Sequence, residues 1–353
     1  MRRAGPILLV VVFYCGWLVF FSTRLAVSVP FISEETELAM GQGADKQVIA
    51  QYGLYQDKAL QLYVNRVGQK LVSHLSDQVF RKFFFKIVDS SVINAFALPG
   101  GYVYVTRGIL ALLNNEAELA GVLGHEIGHI IFHHGAKAMV RSIGASILSL
   151  GGAIASPQNA GQWLVVSTQF FQQINLGYGR DAELESDAQG IVNLYESGYN
   201  PINISRFFRT LRRQEIMSGQ SYHSFVASHP ETKERIVRAE MMASSYSRRN
   251  KKLVDNREVY LSHIKGLVYG GKRDRGDFQS YEDQYIDIYE VVPGDTFAGI
   301  AEKELGDRNQ APAIATLNGK RDTESLKPGE LLKLVKKGEP PKDKTLQIKP
   351  ARP

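Results

Sequence analysis

Hydrophobic and polar positions divide the chain into an apolar start, a long helical middle and a shorter mixed end. Residues 7–21 form an almost unbroken apolar run, and residues 33–78 and 115–240 carry helical patterns. Residues 83–88 and 102–106 are rich in β-formers and predict strands, with the turn signal Pro99-Gly100-Gly101 between them. This pattern predicts an α+β, mainly α, fold with a small β-sheet.

A second pattern follows a stretch that is rich in small and charged residues. Residues 244–252 are rich in Ser, Arg and Lys, residues 266–276 are rich in Gly, and we expect an exposed linker over 246–288. Residues 289–336 then predict a small βααβ domain. The chain is thus divided into an N-terminal segment 1–28, a main domain 29–245, this linker, the βααβ domain and a basic, Pro-containing tail 337–353.

The apolar run at the start follows Arg2 and Arg3 and is typical of an export signal. It is slightly short for a membrane span unless it extends to Val29, and Ala26-Val27-Ser28 offers small residues for cleavage. We therefore expect residues 1–28 to be a signal peptide or an N-terminal membrane anchor, with the rest of the chain periplasmic or otherwise extracytoplasmic. A buried N-terminal helix is the alternative.

Composition narrows the class of protein. The 353 residues include 44% hydrophobic residues, which is enough for a substantial core, and the length suggests two domains. The only cysteine, Cys15, lies in the apolar run, so the exported part can form no internal disulfide. The net charge of +6 favours acidic partners such as cell-wall polymers or anionic membrane surfaces, and without a nucleic-acid motif we expect no nucleic acid partner.

The candidate chemistry centres on the segment His125-Glu126-Ile127-Gly128-His129. On a helix, residues four apart share one face, so both imidazoles point the same way with Glu126 beside them. Two such imidazoles bind Zn²⁺ and leave a position for water, and the intervening Glu acts as general base on that water. We therefore expect one Zn²⁺ per chain; ordinary solvated side chains are the bland alternative.

A third ligand must come from another segment. Position 135, where one class of zinc peptidases has a third His, holds Gly135 in this chain. Glu183 and Asp187 are four residues apart on a predicted helix, so one carboxylate could bind zinc while the other bonds to a ligating imidazole. A solvated acidic face is the alternative. We expect His133 and His134 to be neighbours of the site or exposed residues rather than ligands.

Five segments together resemble the gluzincins of metallopeptidase family forty-eight, which includes HtpX-like heat-shock proteases, BepA-like periplasmic proteases and the prenyl-CAAX endoprotease. The resemblance covers residues 32–240, is nearest to the BepA-like group and implies a zincin-like domain. The segments are Ile32–Glu37 with Gly41, Asn94–Gly101, Thr106–Leu110, His125–His129 and Glu183–Asp187.

The resemblance also implies roles for individual residues. His125, His129 and Glu183 would be the zinc ligands, Glu126 the general base, and Asp187 a partner that holds a ligand. His229, in a His-Pro element, would approach the metal or stabilise the oxyanion. The strand that contains Tyr102, Val103 and Tyr104 would be the sheet edge to which an extended substrate adds its backbone.

Residues 289–336 resemble a LysM module, through the turns Pro293-Gly294-Asp295-Thr296 and Pro328-Gly329-Glu330. This resemblance implies binding to peptidoglycan in a groove between two loops. The expected glycan contacts are Asp295, Thr296, Phe297 and Asn318. A small interaction domain without glycan affinity is the alternative.

Together these features predict a zinc endopeptidase of the bacterial cell envelope. Its expected substrates are unfolded or misassembled envelope proteins, with peptidoglycan bound through the LysM-like domain and the membrane contacted if residues 1–28 are retained. Two other classes stay open: a chaperone-like or binding protein with an idle metal site, and a cell-wall hydrolase.

Overall fold

The helical pattern of the N-terminal region forms two helices, α1 (Glu34–Tyr52) and α2 (Lys58–Val72). Asp57 begins α2, because its carboxylate accepts a hydrogen bond from the Leu60 N–H at 3.0 Å. The computed structural model describes residues 34–75, 82–143, 177–218, 225–230, 233–249, 251–271 and 283–341. The expected signal or anchor (1–28) and most of the tail lie outside these ranges. Within them, no helix has both the length and the apolar character that crossing a membrane requires.

A small three-stranded sheet follows α2, with strands β1 (Phe84–Val88), β2 (Ala95–Leu98) and β3 (Tyr102–Thr106). The strand order is β1-β3-β2, with β3 parallel to β1 and antiparallel to β2. β3 is therefore the central strand, and both of its edges are already paired. Among the described strands, β2 pairs only with β3, so its other edge is open to a further strand.

Eight helices in the described ranges form the rest of the main domain. The helix α4 is its centre, because every residue from Glu116 to Ile130 is buried. It packs most extensively against α6. These helices are α3 (Arg107–Leu112), α4 (Glu116–Ile131), α5 (His134–Ile143), α6 (Arg180–Glu196), α7 (Ile202–Ser218), α8 (Phe225–Ser228), α9 (Lys233–Ser247) and α10 (Arg257–Ile264).

Small residues let α4 and α6 approach closely. A Cβ placed on Gly128 would lie 2.9 Å from the Cα of Ser186, and one on Gly190 would lie 3.1 Å from the backbone N of His125. Only glycine fits at such separations without a shift of the neighbouring backbone. The close crossing brings the first three turns of α6 against the middle of α4, where the two histidines of the predicted zinc segment lie.

The C-terminal region forms the strand–helix–helix–strand order expected from its sequence. An antiparallel sheet has the order β4-β5-β6, and two helices connect β5 to β6. The apolar side chains between them include Phe297, Ile300 and Leu332. The elements are β4 (Val268–Tyr269), β5 (Gln284–Glu290), α11 (Phe297–Leu305), α12 (Ala311–Leu317) and β6 (Leu331–Lys337).

The described parts of 246–288, which we expected to be an exposed linker, instead contribute to the main core. Within 246–288, the side chains of Tyr260, Leu261 and Ile264 on α10 and of Ile286 on β5 are fully buried. The Tyr260 hydroxyl donates to the carbonyl of Leu110 at 2.5 Å. The prediction failed because a few apolar residues among many polar ones are sufficient to bury one face of a short helix. The described residues all belong to one compact unit.

Candidate metal centre

Four side chains from three parts of the chain converge in the interior. His125 and His129 lie on α4, Glu183 lies in the first turn of α6, and His229 follows α8. Their nitrogen and oxygen atoms all lie within 4.8 Å of one another. Each of the four side chains is at most 2% exposed.

The start of α4 fixes where its histidines point. The side chain of Asn115 accepts a hydrogen bond from the Glu118 N–H at 2.7 Å, which caps the helix. The Glu118 carboxylate accepts from the Asn114 N–H, also at 2.7 Å. From this start, the four-residue spacing places both imidazoles on the face that α6 covers.

The distances within the cluster fit a shared cation. The Nε2 atoms of His125 and His129 are 3.1 Å apart, and the His125 Nε2 is 3.2 Å from the His229 Nδ1. The Glu183 oxygens lie 3.4 Å from the Nε2 atoms of His125 and His129. Imidazole nitrogen and carboxylate oxygen are metal ligands in proteins, and a buried set of them around one point fits a metal ion.

Asp187 and Arg235 form hydrogen bonds and ion pairs with residues of the cluster. The Asp187 carboxylate lies 2.9 Å from the Nδ1 of His125 and accepts two hydrogen bonds from Arg235, at 2.7 and 2.8 Å. Another Arg235 nitrogen is 2.9 Å from Glu183. Burial acts to raise the pKa of Asp187, but the hydrogen bonds and charge of Arg235 outweigh it and lower the pKa below its usual value. Asp187 is therefore ionised at neutral pH.

The protonation of the two α4 histidines differs before a metal binds. Burial lowers the pKa of His129 well below its usual value. Burial acts in the same direction on His125, but the hydrogen bonds that it donates to the Asp187 and Glu183 carboxylates outweigh burial and raise its pKa to about 9. Before a metal binds, the pKa values of the two imidazoles are therefore shifted in opposite directions.

Glu126 lies buried beside the cluster. Its side chain is fully buried, and neither carboxylate oxygen has a hydrogen-bond partner among the described residues. The nearest ionisable nitrogen, the Nε2 of His229, is 3.4 Å away. Burial raises the pKa of Glu126, and the charges of His229 and His125 oppose this only in part. A carboxylate whose pKa is raised toward neutrality is suited to accept and return a proton.

Two further side chains, those of Tyr178 and His134, contact His129 beside the cluster. The Tyr178 ring stacks on His129 with centroids 4.2 Å apart. His134, expected to be a neighbour of the site or exposed, is 4% exposed and its Nδ1 lies 2.9 Å from the Nδ1 of His129. The sequence signal for His134 is its position five residues after His129, while Tyr178 has none. The Nδ1 of His133 lies 2.6 Å from a carboxylate oxygen of Glu37, and both residues line the same cleft as His129.

A narrow cleft adjoins the cluster, and residues of β2 form part of its lining. Its lining includes Ala97 and Leu98 of β2 together with His129, Ile130 and Tyr178. The expected substrate edge was the strand containing Tyr102, Val103 and Tyr104, and this expectation is wrong. These residues belong to the central strand β3, which has a strand on each side.

The predicted glycan contacts divide into two groups. Thr296 is exposed and caps α11, and Asp295 is partly buried, accepting hydrogen bonds from the Val292 N–H and the Tyr289 hydroxyl. Phe297 is 1% exposed within the apolar core, and Asn318 is 5% exposed with its amide bonded to the backbone of β6. We correct the expectation for Phe297 and Asn318, because their side chains are occupied inside the fold.

Known proteins share this site region. Residues 58–243 match the family described as Peptidase family M48. The chain is similar to the beta-barrel assembly-enhancing protease of Yersinia pestis (33% identity over 190 residues, 52% of this chain and 39% of that protein) and of Escherichia coli K12 (29% over 247 residues, 68% and 50%). It is also similar to the mitochondrial metalloendopeptidase OMA1 of Schizosaccharomyces pombe (31% over 219 residues, 59% and 61%). The chain spans at most half the length of these two bacterial relatives. Because the matched family covers more than half of the chain and all four clustered side chains, the chain belongs to peptidase family M48, a family of metalloproteases.

Proposed function

We propose that the protein is a zinc-dependent endopeptidase of the bacterial cell envelope that cleaves unfolded or misassembled exported proteins. The observation that carries the proposal is the buried cluster of His125, His129 and Glu183 with the buried carboxylate of Glu126 beside it, which has no hydrogen-bond partner in the described part of the chain. The names of the bacterial relatives refer to beta-barrel assembly, and such barrels are built in outer membranes. The predicted export segment supports the same location.

The residues in and beside the cluster have different roles in the proposed reaction. His125, His129 and Glu183 would hold the zinc ion, and Asp187 orients the His125 ring. A bound zinc ion supplies Lewis acidity that allows water to attack a peptide carbonyl at neutral pH. Glu126 accepts a proton from the attacking water and returns it to the leaving amine.

The open edge of β2 supplies the substrate site. An extended peptide can add to this edge as a further strand, with its backbone bonded to β2 and its side chains directed alternately to either face. Ala97 and Leu98 line the same cleft as His129, so a peptide bound there would pass the cluster. Only a locally unfolded segment can pair in this way, which favours misfolded proteins as substrates.

The variant Glu126→Gln tests the catalytic proposal. We expect it to bind one zinc per chain but to cleave unfolded casein about 10²–10⁴-fold more slowly, since the amide cannot accept the proton. Casein fragments on gels and zinc content by atomic absorption are the measurements. Glu34→Gln, at an exposed position of α1, is the control. Casein cleavage by Glu126→Gln at the wild-type rate would refute the assignment of the general base.

A second candidate function is a binding or chaperone-like protein with a closed metal site. The position of His229 favours it, because its Nδ1 is as near to the other donor atoms as they are to each other. Catalytic zinc sites in enzymes use three protein ligands and keep a fourth position open. A metal bound by all four side chains would have no such position until His229 moves.

We infer that the C-terminal βααβ region holds the protease near peptidoglycan. Its order of elements and the exposed loop at Thr296 support this inference. The protein should sediment with insoluble peptidoglycan, and soluble oligomers of N-acetylglucosamine should release it. Release by salt alone would indicate attraction by net charge and would contradict the inference. If soluble peptidoglycan fragments form during the same sedimentation assay, the result would instead favour the hypothesis of a cell-wall hydrolase.

A further inference from the structure

The two histidines of the metal helix are held by different kinds of partner. The Nδ1 of His125 faces the ionised carboxylate of Asp187 at 2.9 Å. The Nδ1 of His129 faces another imidazole, the Nδ1 of His134, also at 2.9 Å. On its far side, the Nε2 of His134 is 3.1 Å from a carboxylate oxygen of Glu185.

These distances define which nitrogens carry protons. A carboxylate accepts hydrogen bonds, so the His134 Nε2 that faces Glu185 is the donor. The other nitrogen of His134 then accepts, and the Nδ1–H of His129 donates to it. This leaves the lone pair of the His129 Nε2 directed at the cluster, where Glu183 lies 3.4 Å away. Metal ligation requires this tautomer.

We propose that His134 and Glu185 form a hydrogen-bonded pair that positions His129 for metal binding. The inference rests on the proposed metal site and assigns both residues a positioning role, because neither reaches the reacting atoms. Glu185 would fix the tautomer of His134, and His134 would fix both the tautomer and the ring orientation of His129.

The fold places His134 at this point through a sharp turn. After α4 ends, His133 adopts a left-handed backbone conformation with φ +53°, and α5 begins at the next residue. The reversal returns the His134 ring against His129, where it is 4% exposed. Tyr178 stacks on the face of the His129 ring, so both the face and the edge of this ligand are held.

Zinc affinity tests the proposal directly. The dissociation constant is measured by competition with a chromogenic chelator, in the absence of any substrate, and the melting temperature is measured on the metal-free protein. We expect His134→Ala to weaken zinc binding about 10–100-fold with little change in metal-free melting. His134→Asn should recover most of the affinity, because the amide oxygen of Asn occupies nearly the position of the imidazole Nδ1.

Variants of Glu185, the member of the pair farther from His129, test its role separately. Glu185→Ala should weaken zinc binding several-fold, and Glu185→Gln, which keeps an acceptor, should weaken it less. Asp181→Ala is the matched control, since it removes another exposed carboxylate from the same helix. The Glu185 side chain is 52% exposed, so these variants are suited to report on the pair even if His134→Ala fails to fold.

Several outcomes would overturn the proposal. Wild-type zinc affinity in His134→Ala would do so, as would equal losses in the Ala and Asn variants, which would indicate packing rather than a hydrogen bond. If Glu185→Ala binds zinc as tightly as Asp181→Ala, Glu185 has no role in positioning His134. If the affinities change as expected but the wild-type protein cleaves no peptide, the endopeptidase function is wrong and the positioning pair stands.

Discussion

At the residue scale, His229 determines how many donors surround the metal position. Its Nδ1 lies 3.1 and 3.3 Å from the Glu183 oxygens and 3.2 Å from the His125 Nε2. A fourth donor at these distances closes a tetrahedral site. We therefore expect His229→Ala to retain zinc through the other three ligands and to cleave unfolded casein several-fold faster than the wild type.

The rate and zinc content of His229→Ala distinguish two roles. His263→Ala is the control, because this imidazole stacks on Tyr63 instead of entering the cluster. A fall in cleavage of about 10²–10³-fold with zinc retained would contradict closure and indicate that His229 stabilises the oxyanion.

Sequence reasoning succeeds for residues whose relation is local and fails for those brought together by a turn. The four-residue spacing of His125 and His129 alone predicts that they share a helix face. Glu183 required a family resemblance, since no local rule joins it to α4. His134 contacts His129 only because of the turn at His133, so its nearness in sequence indicates a neighbour but not the contact, and the position of Tyr178 in the sequence gives no signal.

At the element scale, the α4–α6 crossing sets the distance between the histidines and Glu183. Gly128→Ala would place a Cβ 2.9 Å from the Ser186 Cα, so the helix backbones must move apart. We expect a loss of about 1–3 kcal/mol in the free energy of unfolding and weaker zinc binding, because Glu183 moves with α6. Urea unfolding of the metal-free protein and chelator competition are the measurements.

Gly121→Ala on the same helix is the control for this prediction. Its Cβ would meet Ile204 at 3.5 Å, an ordinary contact, and alanine favours helix by about 1 kcal/mol over glycine. We therefore expect Gly121→Ala to keep zinc affinity and to maintain or raise stability. If Gly128→Ala and Gly121→Ala have the same stability and the same zinc affinity, the α4–α6 crossing tolerates a wider spacing between the helices.

The sheet shows why the order of strands could not be obtained from sequence. All five residues of β3 are buried, as expected for a central strand covered on both faces. The same run of β-formers was interpreted as the substrate edge, and the shorter strand β2 was not predicted. Strand formers indicate that a strand exists, whereas its neighbours depend on the turn at Pro99–Gly101 and on the path of the chain after β1.

At the scale of the whole molecule, Lys333 joins the C-terminal sheet to the main domain. Its side chain is fully buried, and its ammonium group donates to the carbonyls of Ala111, Leu112 and Leu113 at 2.7–2.8 Å. Arg257 on α10 adds bonds to the carbonyls of Asn114 and Leu331. These contacts end where α4 begins, so the C-terminal region supports the start of the metal helix. A sequence pattern of strand, helix, helix and strand indicates a module but carries no information about which surface it covers.

Truncation distinguishes a C-terminal region that is only a tether from one that is part of the folded core. A chain that ends at residue 271 lacks β5 and β6, which removes the Lys333 donor and uncovers the apolar side chains of α10. We expect this chain to lose cooperative unfolding and zinc-dependent cleavage.

Lys333→Met in the full chain should lower the free energy of unfolding by about 1–3 kcal/mol for each carbonyl that stays unsatisfied, while the exposed Lys327→Met should have no effect. Thermal unfolding followed by circular dichroism, together with casein cleavage, measures both changes. A truncated chain that unfolds cooperatively and cleaves casein at the full rate would show that the C-terminal region is only a tether.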